Sequence, residues 1–403
     1  MSLTPNDYIT REKKYLATNY KPLPVVLSRA EGVWMWDVEG KKYLDFLSAY
    51  SAVSGGHHNI RLIKAMNDQL AKIDVPSRAF YTDILGEYAQ KLCEFTGMDK
   101  MLPMNTGAEA VETAIKAARR WGYRIKNIAK DKARIIVCDG NFHGRTTTII
   151  SFSSDDDYRS DFGPLTAGFD LIQYGDIQAL EKAITPETCA FFIEPIQAEV
   201  GIRVPDKGYL KAAQDICKKN NVLFILDEIQ TGMARTGKNF CFQHEIDKPD
   251  GLTLGKALGG GFYPVSAFLA RADVMDVFNP GSHGSTFGGN PIAAAIGLEA
   301  IRQTEEEKFA ERSAELGDYL KSKLSAIQSP LIKDVRGMGL LVGIEIDPAY
   351  AKARTVCEAL MKHGLLCKET HEVVVRMAPP LIISKSEIDW AVEQVEIVLK
   401  ELS

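Results

Sequence analysis

Three apolar runs end in residues able to handle charge and protons. "CAFFIEP" (189–195) leads into Glu194, "NVLFILDE" (221–228) into Asp227, and "GLTLGKALGGGF" (251–262) carries Lys256 just ahead of three glycines. Taken singly, each has an ordinary reading: a turn carboxylate, a helix cap, a solvated lysine. Taken together they suggest more, because an open parallel sheet binds its ligands beyond the carboxyl ends of its strands. A lysine and an aspartate at neighbouring strand ends suit pyridoxal phosphate. That cofactor needs an amine to bond to its aldehyde and a carboxylate to keep its ring nitrogen protonated. The amine attacks only when neutral, so its site must lower its pKa by desolvation or by nearby positive charge.

A phosphate would need its own cradle. "PMNTGAEAVETAIKAARRW" (103–121) sets Asn105, Thr106, Gly107 and Ala108 directly before a helical pattern. Helix N-termini bind anions. A threonine cap with acidic residues in the first turn describes the same stretch equally well. "GSHGSTFGGNP" (281–291) is a second loop rich in glycine and hydroxyl groups. No G-x-x-x-x-G-K-[ST] occurs, and no G-x-G-x-x-G opens a helix after a strand, which argues against P-loop and dinucleotide folds. The seven histidines form no H-E-x-x-H, and the adjacent His57 and His58 lack ligand spacing, so no metal is expected.

The elements that must position these residues are legible as alternation. "ARIIVCDG" (133–140), the three runs above and "VSAFLA" (265–270) are short, continuous and rich in β-branched residues, as strands covered on both faces are. Helical patterns at 110–125 and 209–220 lie between them, which predicts an α/β architecture with a mostly parallel sheet. Residues 1–50 read as an N-terminal arm, with a strand–turn–strand pattern in "GVWMWDVEGKKYLDFL". After about residue 300 a long amphipathic pattern, "EEEKFAERSAELGDYLKSKLSAI", is followed by the short strands "GLLVGIEI" and "VVVRMAPPL", a smaller α+β domain. The expected division is 1–50, 51–295 and 296–403. With 403 residues, 25% charged and a net charge of −5, nothing suggests disorder or a nucleic-acid footprint. No run reaches the ~18 apolar residues of a membrane span. The N-terminus lacks the apolar region of a secretory signal. Seven scattered cysteines without C-x-x-C fit reduced thiols, so a cytoplasmic protein is expected.

The segments "LPMNTGAEAVETAIKAARRWGY", "GNFHGRT", "FIEPIQAEVG", "LFILDEIQTGMARTG", "LGKALGGGFYPVSA" and "GSHGSTFGGNP" resemble the class III, or subgroup II, aminotransferases of fold type I. The resemblance runs from 19–27 to 374–383. It implies a fold-type-I pyridoxal-phosphate-dependent transferase with a large domain and a smaller α+β one. Lys256 matches the lysine that bonds to the cofactor and shuttles the proton. Asp227 matches the partner of the ring nitrogen, and Gln230 a hydrogen-bond partner near the ring hydroxyl. Phe142 matches the stacking aromatic, and Thr106, Gly107 and Ala108 the phosphate cup. Thr286 matches a phosphate ligand supplied by a neighbouring subunit, so a homodimer with shared active sites is the implied minimum.

Within that family the resemblance is to enzymes that move the δ-amine of L-ornithine to 2-oxoglutarate. Ornithine has one carboxylate and two amines, whereas 2-oxoglutarate has two carboxylates. One arginine fork far from the cofactor would leave the δ-amine to react, and a second, near it, would serve glutamate and need masking when ornithine binds. Arg145 matches the distal fork, Arg376 the proximal one and Glu199 the mask. Tyr20 and Tyr50 match the ornithine-pocket tyrosines. Two segments depart from the family pattern: Ala198 stands where a glycine is usual, and 54–60 reads "SGGHHNI". Both lie near the expected substrate entry, which leaves lysine, N-acetylornithine and γ-aminobutyrate open as donors.

Overall fold

The apolar runs become the strands of one seven-stranded sheet in the computed structural model, which describes residues 3–403. Ahead of it lies an antiparallel meander of β1 (Leu27–Glu31), β2 (Trp34–Asp37) and β3 (Lys42–Asp45). Its second turn is held by Asp37 Oδ1, which accepts from the amides of Glu39 and Lys41. The central sheet comprises β4 (Lys100–Met104), β5 (Arg134–Cys138), β6 (Phe169–Ile172), β7 (Thr188–Ile193), β8 (Leu223–Asp227), β9 (Gly251–Leu254) and β10 (Ser266–Ala270). Its order is β4-β10-β9-β8-β7-β5-β6. The pairings from β9 through β6 are parallel, and β10 runs against both its neighbours.

Continuous burial explains the missing alternation. Phe191, Phe224 and Leu226 face one hydrophobic core, while Phe192, Leu223 and Ile225 face another on the opposite side. Because Ile193 is in register with Leu226, and Asp227 with Thr253, Glu194 and Asp227 leave adjacent strands side by side. Lys256 follows three residues after Thr253.

The C-terminal part contributes β11 (Ile332–Met338), β12 (Leu341–Ile346), β13 (Leu365–Leu366), β14 (Lys368–Thr370) and β15 (Val374–Met377). Four of these form the antiparallel sheet β11-β12-β15-β14, whereas β13 pairs in parallel with β3. The N-terminal meander is thereby extended by a C-terminal strand, and Val33, Leu44 and Phe46 share a core with Leu360, Val375 and Val395. The amphipathic pattern at 305–327 is not one helix. It breaks at Lys308 (φ +52°) between helices Pro291–Glu306 and Phe309–Ser325. The break lets Ile301 pack in the central core and Phe309 in the C-terminal one.

Candidate active site

Lys256 opens a short 3₁₀ turn with φ +43°, a left-handed conformation that is strained for a residue with a β-carbon. Loss of solvent lowers its pKa. The charges of Glu199, Asp227 and Glu194 oppose that shift and the charge of Arg376 adds to it. The net effect favours the neutral amine.

Asp227 is buried at the end of β8. Its Oδ1 accepts from the Ile229 amide at 3.0 Å, and its Oδ2 lies 2.6 Å from His143 Nδ1. His143 is stacked on Phe192 at 4.4 Å, and its buried Nε2 has no partner. The sequence motif containing Phe142 and Arg145 thus places a third residue, His143, against Asp227, a contact that sequence reasoning passed over. Glu194 accepts from the Phe142 amide at 3.0 Å, fixing the aromatic's backbone, and burial pushes its carboxyl well above the usual range.

The Thr106 turn is a capping box. Thr106 Oγ1 accepts from the Glu109 amide at 3.3 Å, and Glu109 Oε2 accepts from the Thr106 amide at 2.8 Å. First-turn amides have no acceptor within the helix, so those of Gly107 and Ala108 are left for an anion. The turn is tied to β10 by Ser266 Oγ, which donates to Thr106 O at 2.7 Å. It also lies beside the Lys256 strand end. A β-carbon on Gly255 would come within 3.5 Å of Gly107 Cα, and one on Gly107 within 3.0 Å of Ile229. Thr286 sits on an exposed loop, whose Ser285 accepts from Asn105 Nδ2 at 2.9 Å. The structure does not join Thr286 itself to the turn by a hydrogen bond.

Two arginines stand in contrasting surroundings. Arg376, on β15 between β12 and β14, is only 1% exposed. Glu199 accepts from both its terminal nitrogens at 2.9 Å, a fork-on-fork pair, and Gln230 Oε1 accepts from Nη1 at 2.9 Å. Burial acts to raise the Glu199 carboxyl, but the charge and hydrogen bonds of Arg376 outweigh it and hold the group at about 2. Gln230 Nε2 also donates to Glu199 at 3.1 Å. Gln230 therefore belongs to this lock, a contact not foreseen from its resemblance to a cofactor-ring partner. Arg145 has a different setting. Its guanidinium lies 3.9 Å from the Tyr158 ring centre and 5.5 Å from that of Phe142. Tyr158 was not singled out from the sequence, because a tyrosine in "SDDDYRSDFG" reads as an ordinary loop residue.

A cavity of about 910 Å³ opens onto this arrangement, lined among others by Tyr20, Tyr50, Arg145, Tyr158 and Glu199. Tyr20 is 75% exposed at its mouth. Tyr50 is carried on four successive residues of positive φ, Ser48 to Ser51 (44°, 48°, 59° and 71°). Each non-glycine residue held so costs about 1–2 kcal/mol, and such residues normally occur singly. The Arg376 guanidinium lies 5.2 Å from the Tyr50 ring centre. Ala198 is fully buried, and Thr370 Oγ1 donates to the Glu199 carbonyl, so the masking residue's backbone is pinned from β14.

The donor set fits pyridoxal phosphate: a lysine of lowered pKa, a buried carboxylate, a half-buried aromatic and a helix start with free amides, all at neighbouring strand ends. Of the residues expected from sequence, the structure gathers Lys256, Asp227, Phe142, Thr106, Gly107 and Ala108 at the sheet edge. Glu199, Tyr50, Tyr20 and Arg145 line the cavity, and Arg376 and Gln230 lie behind Glu199, hydrogen-bonded to it.

The model of the family described as aminotransferase class-III matches residues 15–399. An ornithine aminotransferase of Halalkalibacterium halodurans is 54% identical over 400 residues, covering 99% of this chain and all of the relative. The fold superimposes with a TM-score of 0.98 on an ornithine aminotransferase of Toxoplasma gondii crystallized in the presence of oxidized glutathione, whose structure reveals partial occupancy of PLP at the active site. That protein is 43% identical, with 99% of this chain and 95% of that chain covered. An acetylornithine aminotransferase of Elizabethkingia anophelis superimposes with a TM-score of 0.90 at 46% identity, over 99% of this chain and all of that one.

Proposed function

Since the chain belongs to the class III aminotransferases, we propose that it transfers the δ-amino group of L-ornithine to 2-oxoglutarate. The products are glutamate and glutamate 5-semialdehyde, and the semialdehyde closes with loss of water to pyrroline-5-carboxylate. The observation that carries this reading is the masked arginine. With Arg376 held by Glu199, a substrate carboxylate finds no free guanidinium next to Lys256, so a diamine acid enters amine first. Arg145, which has no carboxylate partner among the described residues, takes the far carboxylate. Glutamate and 2-oxoglutarate carry two carboxylates, and only they displace Glu199.

Pyridoxal phosphate, when bound, supplies the aldehyde that takes the amine and a ring that draws electrons from the carbon losing a proton. In our reading Thr106, Gly107 and Ala108 hold its phosphate, Phe142 covers a ring face, and Asp227, oriented by His143, retains the proton of the ring nitrogen. Lys256 Nζ would be the amine that holds the cofactor until a substrate amine takes its place, and, once freed, the base that takes up the proton leaving the substrate's amine-bearing carbon. Its lowered pKa serves both tasks. We take residues 51–295 as the body holding the cofactor, and 296–403 together with 1–50 as the part adding the substrate wall. We also read the enzyme as cytoplasmic and homodimeric or larger, with Thr286 reaching the partner subunit's phosphate turn. Exposed Phe80, Tyr81 and Phe287 near that loop support a covered surface, and all seven cysteines being free supports a reducing compartment.

The test adds L-ornithine, without any keto acid, to the cofactor-loaded protein and follows the cofactor's visible absorbance. Bleaching with pyrroline-5-carboxylate trapped as product is expected. Bleaching with N-acetylornithine or γ-aminobutyrate but not with ornithine would overturn the substrate and keep the chemistry. N-Acetylornithine is the second reading, favoured by the acetylornithine aminotransferase fold match.

A further inference from the structure

The left-handed turn that carries Tyr50 closes backbone hydrogen bonds of its own, from the Tyr50 amide to Leu47 O at 3.0 Å and from the Val53 amide to Ser48 O at 2.9 Å, but four successive positive φ values are costly enough to need further partners. Those partners converge on Asp45, which is 2% exposed. Asp45 Oδ1 accepts from the amides of Leu47 and Ser48, each at 2.8 Å, so one carboxylate oxygen caps the entry to the turn. Its other oxygen lies 2.8 Å from His57 Nε2. His57 is fixed in turn through its backbone: its amide donates to Gly32 O at 2.8 Å, and its carbonyl accepts from the Gly32 amide at 3.0 Å. The same entry residue is tied to the C-terminal part by Ser48 Oγ, which donates to Ala378 O at 2.7 Å, two residues beyond Arg376.

We infer that the Asp45–His57 pair is a positioning device that holds Tyr50 against the cavity, and so tunes the choice between the diamine acid and glutamate. The inference rests on the function proposed above. Both residues of the pair line the same cavity as Tyr50 and Ala49, so the pair adjoins the substrate space rather than a remote core. His57 lies in the segment 54–60, though not at one of the positions where that segment departs from the family pattern. The two substrates depend on the turn unequally. Arg376, which serves glutamate, is independently held by β12 and β14 pairing and by Gln230. Tyr50 is placed by the turn, and the Arg376 guanidinium 5.2 Å from its ring centre is fixed already by those other contacts. His57 and Asp45 thus act through Tyr50 and are not catalytic residues.

The experiment measures the two half-reactions separately on the cofactor-loaded enzyme, one with ornithine and one with glutamate. His57→Ala is expected to lower kcat/KM for ornithine about tenfold, mainly through KM, the scale of one lost hydrogen bond to a charged group. The glutamate half-reaction is expected to stay within about twofold. His57→Gln restores a nitrogen donor for Asp45 and is expected to recover most of the ornithine rate. Should His57→Ala fail to fold, Asp45→Asn, which keeps an oxygen for the two amides but opposes an amide nitrogen to His57, makes the same measurement. An equal fall in both half-reactions, or no change in either, overturns the inference. A wild-type enzyme that reacts with glutamate but not with ornithine overturns the proposed function itself, a failure visible before any variant is made.

Discussion

The two arginines assigned to substrate carboxylates differ in what surrounds them, and on the proposed function that difference lets one pocket serve two kinds of acid. Arg376 is buried and locked by a carboxylate and an amide. Arg145 rests on two aromatic rings, which hold a guanidinium without neutralising it. A masked cation rejects a lone carboxylate, because binding there would require breaking a partly buried ion pair, a disruption of about 3–5 kcal/mol when one partner is left unpaired. An unmasked cation on an aromatic face accepts one at once. On that reading selectivity comes from the company each arginine keeps, while the two side chains themselves are identical.

The comparison can be broken or sharpened in order of effect. On the proposed function Lys256 is common to both half-reactions. Lys256→Ala is expected to reduce both by at least about 10⁴-fold, removing anchor and proton carrier together, and stopped-flow absorbance checks it. A variant that lost only one half-reaction would show that the lysine does not serve both. Arg145→Met is expected to lower kcat/KM for ornithine by about 10²–10³-fold, the worth of a forked ion pair to a desolvated carboxylate. If glutamate suffers as much as ornithine through loss of its α-carboxylate contact, the roles of the two arginines are reversed.

Glu199→Gln is expected to move the ratio of half-reaction rates toward glutamate by about tenfold, as one charge-assisted bond is weakened. The lock also has a pH signature. The Glu199 carboxyl is depressed to about 2 from an ordinary 4.5, so its contribution to stability is complete above about pH 5 and disappears as pH falls toward 2. The difference in Tm between wild type and Glu199→Gln should be flat above pH 5 and shrink below it. A difference that grew on acidification would mean the pair is not charged. Tyr158→Leu is the smallest change, expected to raise the ornithine KM by about two- to fivefold, with Tyr158→Phe close to wild type because the ring face does the holding.

Much of the chemistry was legible because it lies at element boundaries. Glu194, Asp227 and Lys256 announce themselves as polar residues closing apolar runs, and Thr106 as a cap with Glu109 three residues on. Gln230 shows where that legibility ends. The resemblance assigns it to the cofactor ring, and nothing local announces its two further hydrogen bonds, to Glu199 and Arg376, more than 30 and 140 residues distant in sequence. His143 was inside a recognised motif, but a histidine declares its partner only when the fold brings Asp227 to it. The turn at Ser48–Ser51 gave no signal at all. "LSAYSAV" has no glycine or asparagine to mark positive φ, and its conformation is enforced by Asp45, Ala378 and the strands around them.

By itself the sequence determined the strand ends and what stands on them, because burial on both faces writes a run of β-branched and aromatic residues that is readable one segment at a time. Family membership follows from motifs of the same local kind. Only the tertiary structure decided which arginine is masked and which is free, and how Tyr50 is held. Those outcomes depend on contacts between β7, β8, β14, β15 and the N-terminal meander, and pairing between distant segments is a property of packing that no single stretch of chain records.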